Sequence, residues 1–456
     1  MDLKLQIHWE NEWHDAGLVQ FPKPEEGLLG LPRFSYSAQY ALKALDYLGD
    51  FDTETLIDRT AVGVNLPCHF GGDYLKGQIA PVLRDIIPQG ASRRLWVKLL
   101  GYDRDPGAAL DTQLLAEGCI APIGNLRIKE AATAFSERLA KSNAVFFTRE
   151  EICTRADALI EHAQALGIAV GGATGAGGDA PKLLLVETDD GRFALEGTIE
   201  DHRVRQHWLV KFPRGQKLQA DIDVLIGEAA IYQSLEDSLI ESINLSRLDQ
   251  IDGRYALWLP RFDRELANGS VVRHGMESVY SMMEKIGDGA ALSHPAVFKR
   301  LQSVLTRPAS GDEILADYLA RDIVNTVFGN SDNHGRNIAL IKRGRDLELA
   351  PGFDIAPMVL DPEGIARVTR WPEEYCSRPG VPDYPAILES LAEDPTAAAD
   401  VLTRKLESLG DIEKKLREYG APQSMLTHPG VKPDFHWTVI EALSKLSTGS
   451  SADGSN

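Results

Sequence analysis

The chain has 456 residues, 43% of them hydrophobic and 25% charged, which places it in the globular class with length enough for two or three domains. Its 67 acidic residues against 48 basic ones leave a net charge of −19, which argues against direct nucleic-acid binding, because phosphate neutralisation needs clustered Lys and Arg. No run approaches the roughly 18 apolar residues of a membrane span, and the alternating pattern after Met1 is not a signal peptide, so a cytoplasmic protein is expected.

Leu3-Lys4-Leu5-Gln6-Ile7-His8-Trp9 alternates at the strand period, and Ala16-Gly17-Leu18-Val19-Gln20-Phe21 reads as its hairpin partner. The same strand pattern continues through Phe34-Ser35-Tyr36, Tyr40-Ala41-Leu42 and Ala61-Val62-Gly63-Val64-Asn65-Leu66-Pro67. Residues 81 to 90 turn helical before stopping at Pro88 and Gly90. A helical connector runs to about residue 166 and leads into a glycine-rich segment, residues 171 to 179. The four cysteines, Cys68, Cys119, Cys153 and Cys376, are scattered, so neither a disulfide framework nor a structural zinc site is expected.

Past the glycine-rich segment, Lys182-Leu183-Leu184-Leu185-Val186-Glu187 and Arg192-Phe193-Ala194-Leu195 flank an Asp-Gly hairpin signal. Gln206-His207-Trp208-Leu209-Val210-Lys211-Phe212-Pro213 follows as a third strand. Three antiparallel strands that begin at a glycine loop can close over nucleotide phosphates, with backbone amides as donors. This makes Thr174, Gly175, Gly177 and Lys182 candidate nucleotide contacts. By itself such a loop is more often a plain linker, and it lacks the Gly-Lys-Ser/Thr of a P-loop. Lys211, flanked by apolar residues, is expected to point inward to a partner, for which Glu228 in a helix-like stretch is the candidate; a Lys-Glu pair of this kind positions phosphates in kinases. Tyr255-Ala256-Leu257-Trp258-Leu259-Pro260-Arg261-Phe262-Asp263-Arg264 begins apolar and ends charged, as a hinge beside an adenine slot would, or as an ordinary core strand. Helical patterns are expected at residues 276 to 286, 296 to 305 and 312 to 327.

The densest chemistry lies at Gly329-Asn330-Ser331-Asp332-Asn333-His334-Gly335-Arg336-Asn337, followed by Ala350-Pro351-Gly352-Phe353-Asp354. An aspartate with an asparagine five positions on, then a second aspartate beyond a hairpin, is the set that phosphoryl transfer needs: Asp332 to orient a hydroxyl, Asn337 and Asp354 to hold magnesium. Asp332 and Asn333 could equally be turn residues that cap local backbone. His334 could serve a metal-dependent hydrolase, but a loop histidine more often props backbone geometry.

With these residues assembled, the chain resembles the HipA family of serine/threonine kinases, the toxins of bacterial type II toxin-antitoxin modules. The likeness rests on Val210-Lys211-Phe212-Pro213, on Arg261-Phe262-Asp263-Arg264, on Asp332-Asn333-His334-Gly335-Arg336-Asn337, and on Ala350-Pro351 through Phe353-Asp354, four motifs in order. The resemblance implies an α+β, two-lobed protein-kinase-like fold with a small N-terminal subdomain. Its expected domains are residues 1–145 for that subdomain, 146–262 for the kinase N-lobe, 263–448 for a helical C-lobe and 449–456 for a disordered tail.

It further implies ATP and Mg2+ as cofactors, Asp332 as catalytic base with His334 in support, Asn337 and Asp354 on the metal, and Lys211 on the phosphates. Pro260, Arg261 and Phe262 would border adenine. A HipB-like helix-turn-helix antitoxin is the implied partner, with DNA reached only through it, and an aminoacyl-tRNA synthetase is the implied substrate. The family's glycine-rich loop commonly carries a serine that is autophosphorylated; residues 171 to 182 hold no serine, so Thr174 is the only hydroxyl there. A HipA-like kinase with a non-toxin or small-molecule substrate, and a nucleotide-binding module that transfers nothing, remain the alternatives.

Overall fold

The structure, a computed structural model, describes residues 1–48, 57–120, 123–142, 144–168, 181–214, 218–267, 269–287, 289–308 and 310–449. The chain divides into two compact units, one of Met1–Gln216, Asp249–Asp288 and Ala339–Asp346, the other of Lys217–Leu248, Gly289–Ile338 and Leu347–Asn456.

The first unit holds two five-stranded sheets. β1 (Asp2–Trp9) and β2 (Glu12–Gln20) form the expected hairpin, closed by Glu10 and Asn11 at φ 48° and 60°, the doubly left-handed turn whose twist matches paired strands. β3 (Arg33–Tyr36), β4 (Asp73–Tyr74) and β5 (Leu126–Ile128) complete a sheet in the order β4-β3-β2-β1-β5. Leu3, Leu5, Ile7 and Trp9 recur at period two and pack one core with Phe34, Leu83 and Leu114.

The second sheet runs β7-β6-β8-β10-β9, built from β6 (Lys182–Thr188), β7 (Phe193–Leu195), β8 (Val204–Lys211), β9 (Arg247–Ile251) and β10 (Arg254–Pro260). Leu183, Leu185, Trp208, Val210, Ala256 and Trp258 form its core on one face. Since side chains alternate across a strand, Lys182, Lys211 and Leu257 fall on the opposite face.

The second unit is mostly helical. Gly311–Val327 starts at Ser310, whose hydroxyl accepts from the Glu313 amide, and buries Ile314, Leu315, Tyr318, Leu319, Asp322 and Ile323 at helical spacing. It packs against Pro395–Glu407, and Gln219–Leu235 packs against Ile412–Glu418. No helix among the described residues is long and apolar enough to cross a membrane.

Three expected elements differ. Tyr40-Ala41-Leu42 belongs to the helix Ala38–Leu48, which buries Tyr40, Ala41 and Ala44 on one face. Residues 61 to 67 carry only an isolated Gly63–Leu66 bridge, because side chains satisfy their amides: the Val62 N–H donates to the Tyr36 hydroxyl at 2.8 Å and the Val64 N–H to Glu277 at 2.8 Å. Residues 276 to 286 begin as the strand Gly275–Ser278, paired antiparallel with Ala339–Arg343, and only Val279–Met282 is helical. The Lys182–Leu195 hairpin, the third strand and the helices near 296 to 305 and 312 to 327 follow the sequence pattern. The glycine-rich segment and the tail beyond residue 449 lie outside the described residues.

Candidate active site

The helix Gly311–Val327 delivers the chain to a polar cluster around Asn330 and Asp332. Gly329 follows at φ 68°, where an added Cβ would stand 2.7 Å from Val359, so the turn admits only glycine. Asn330 then uses both ends of its amide. Its Oδ1 accepts from the Asp332 N–H at 3.1 Å, an Asx turn, while its Nδ2 donates to Asn325 Oδ1 at 2.9 Å and to the Asp354 carbonyl at 3.4 Å.

Around Asp332 the loop is fixed by side chains. Asn337 Nδ2 donates one of its two N–H groups to the Asp332 carbonyl at 2.7 Å, which fixes the amide's orientation and leaves Oδ1, a hard oxygen, for other work. His334 Nδ1 accepts from the Arg336 N–H at 3.2 Å, so the neutral ring carries its proton on Nε2, the nitrogen 3.6 Å from Asp332 Oδ1. His334 therefore braces the loop and faces the carboxylate as a donor. Asp354 sits at φ 55°, a left-handed conformation that a non-glycine residue seldom takes and that clusters at functional sites. The next amide, Ile355 N–H, donates to the Tyr232 hydroxyl at 3.3 Å. Burial pushes that hydroxyl well above the usual tyrosine range, and the charges of Glu228 and Asp354 push it further. Buried Glu228 and Tyr232 are one turn apart on Gln219–Leu235, so this helix sets charge beside Asp354.

A second layer anchors the loop. Asp322 is buried, accepting from Arg367 at 3.0 Å and from the Trp371 indole at 2.9 Å, with His294 Nε2 at 3.8 Å. Arg367 also donates to Thr326 at 3.1 Å and to the Asn330 carbonyl at 3.4 Å. Burial alone would raise the Asp322 pKa; His294 and Arg367 outweigh it and hold the carboxyl below its ordinary value.

In the first unit, Lys182 and Lys211 stand directly opposite each other in the β6–β8 ladder, with Leu257 across from Lys211 on β10. Both are about 95% buried. Like charges in register on neighbouring strands repel each other. Pro260 ends β10 and Phe262 lies two residues on. Arg261 between them is tied inward: its guanidinium bonds Asp263 at 2.9 and 2.6 Å and also Glu196. Arg264 joins the network through Asp263 at 2.8 Å and Glu196 at 3.3 Å, and Asp263 accepts from the Gly124 N–H at 2.7 Å. Burial works against charge on both carboxyls, yet Arg261 and Arg264 hold Glu196 and Asp263 far below the ordinary carboxylate range.

Asp332, His334, Asn337, Asp354 and Glu228 thus lie in the second unit, and Lys182, Lys211, Pro260, Arg261 and Phe262 in the first. Thr174, Gly175 and Gly177 lie outside the described residues. Asn330, Asp322 and Glu196 were not picked out from the sequence; only Asn330 carried a local signal, its place two residues ahead of Asp332. The Asn337 and Asp354 side chains offer oxygen only, the donor set that suits magnesium over softer metals. No group of three His, Cys, Asp or Glu residues capable of holding a metal occurs among the described residues.

Residues 174–406 match the family of HipA-like C-terminal domains. Among solved structures, the chain is similar to the HipA of Shewanella oneidensis MR-1, seen in a toxin-antitoxin complex with HipB and its operator DNA, with a TM-score of 0.61 and 16% identity over 97% of both chains. It overlaps more loosely with the Helicobacter pylori proinflammatory kinase CtkA, with a TM-score of 0.37 and 12% identity over 57% of this chain and 97% of that one. No curated protein matches the chain.

Proposed function

Because the chain belongs to the family of HipA-like C-terminal domains, we propose that it is an ATP- and magnesium-dependent serine/threonine protein kinase of the HipA toxin type. The observation that carries this reading is the Asn330 side chain, which ties the Asp332 amide to the Asp354 backbone and so assembles two acidic residues from separate motifs in one place. Asp332 orients the acceptor hydroxyl and takes its proton as the oxygen bonds the terminal phosphorus of ATP and the bond to the bridging oxygen breaks, releasing ADP. His334 Nε2–H faces that carboxylate and fixes its direction. Lys182 and Lys211 receive the phosphates, with the backbone at Pro260 and Phe262 bordering adenine and Arg261 holding that segment in shape. Asn337 Oδ1 and the Asp354 carboxylate would hold magnesium, which would neutralise phosphate charge there.

In this reading Thr174 is the hydroxyl available for self-phosphorylation, the protein works in the cytoplasm, a HipB-like antitoxin restrains it, and an aminoacyl-tRNA synthetase is the substrate. The nucleotide half is tested by calorimetry. Wild type should bind ATP several-fold tighter with magnesium than with a chelator, and Asn337→Ala with Asp354→Ala should erase that difference. Magnesium-independent affinity in the wild type would contradict it.

A further inference from the structure

Beside the catalytic loop, within the second unit, lies a cavity of about 530 Å³. Asn330 and Ser331 line it, and Ser331 is the chain neighbour of Asp332. None of its lining residues is acidic, although the chain as a whole carries 67 acids against 48 bases. Three cations line it instead: Arg367, Arg370 and Lys432.

These three are not equivalent. Arg367 is neutralised by buried Asp322 at 3.0 Å. Arg370 and Lys432 are exposed, and no carboxylate is paired with either among the described residues. The Arg370 Nε donates to the Arg367 carbonyl at 2.8 Å, which holds its stem against the anchored segment. Trp371 supplies a fixed wall, bonded to Asp322 at 2.9 Å and stacked on His294 with centroids 4.7 Å apart. Phe435 supplies another, with the Lys432 ammonium 6.0 Å from its ring centroid. Rigid aromatic walls that end in two uncompensated cations suit an anionic group carried on an apolar stem, and the volume exceeds what a small inorganic anion fills.

We propose that this cavity receives an acidic side chain of the substrate protein, close in sequence to the serine or threonine presented to Asp332, with Arg370 and Lys432 as the specificity determinants. The proposal rests on the kinase reading and names the substrate class for that same site. An overall charge of −19 repels acidic peptides, so a preference for one must come from a local field.

The test reads binding and not transfer, so its failure is separate from failure of the kinase reading. Fluorescent serine peptides flanked by Glu, Gln or Lys are titrated with the full chain at physiological ionic strength, and anisotropy is followed. The Glu peptide should bind roughly tenfold tighter than the Gln peptide. Arg370→Gln with Lys432→Gln should abolish that difference while the melting temperature holds, and Arg370→Glu with Lys432→Glu should turn the preference toward the Lys peptide. Equal affinity for the Glu and Gln peptides, absence of peptide binding, or a neutralised variant that keeps the Glu preference would overturn the proposal.

Discussion

Asn330 accepts and donates through one amide, joining the Asp332 N–H to the Asp354 carbonyl. Removing it in Asn330→Ala leaves the Asp332 N–H and the Asp354 carbonyl without that partner; a lost buried bond of this kind costs about 1–3 kcal/mol. The expected outcome is a melting temperature lowered by several degrees and phosphoryl transfer slowed by at least about tenfold through misplacement of Asp332. Asn330→Asp keeps the acceptor for the Asp332 N–H but cannot donate to Asn325 or Asp354, and should fall between wild type and Ala. Thermal melting with single-turnover kinetics separates the two effects; transfer unchanged in Asn330→Ala would remove the positioning role. At this scale the sequence was partly readable. Asp332, Asn337 and Asp354 stand at the spacing on which the phosphoryl-transfer expectation rests, whereas Asp322 looks like any polar residue of an amphipathic helix. Its meaning comes from Arg367, Trp371 and His294, which the chain brings to it from elsewhere.

Among elements, the segment that follows β10 carries a structural network of its own. In Arg261-Phe262-Asp263-Arg264, both guanidinium groups and the carboxylate close a buried network with Glu196. Breaking such a pair strands a buried charge, so Glu196→Ala should destabilise the first unit by about 3–5 kcal/mol. Folded Glu196 and Asp263 bind protons more weakly than the unfolded chain does. Their stabilisation is therefore fully present above the unfolded carboxylate range of roughly pH 4 and is lost as pH falls toward the folded values. Melting temperature should be flat near neutrality and drop on the acid side, with a shallower drop in Glu196→Gln; an equally steep drop in that variant would contradict the assignment.

The same scale explains which elements could be foreseen. β1, β2, β6 and β7 pair with near neighbours through short turns, so alternation and turn residues sufficed. Residues 61 to 67 and Gly275–Ser278 depend on Glu277, Tyr36 and Ala339–Arg343, partners far away in number, and local pattern misled there.

For the whole molecule, the fold is that of HipA, an α+β kinase-like architecture, and the four ordered motifs make it legible in the sequence. The central claim is that Asp332 serves a transferred phosphoryl group. The direct measurement is incubation of the full chain with labelled ATP, magnesium and a cell extract, wild type beside Asp332→Asn. The account predicts a labelled extract protein with wild type and a loss of about 10²-fold or more with the variant, at unchanged melting temperature. Label of equal intensity with both proteins, or none with wild type while nucleotide still binds, would contradict it.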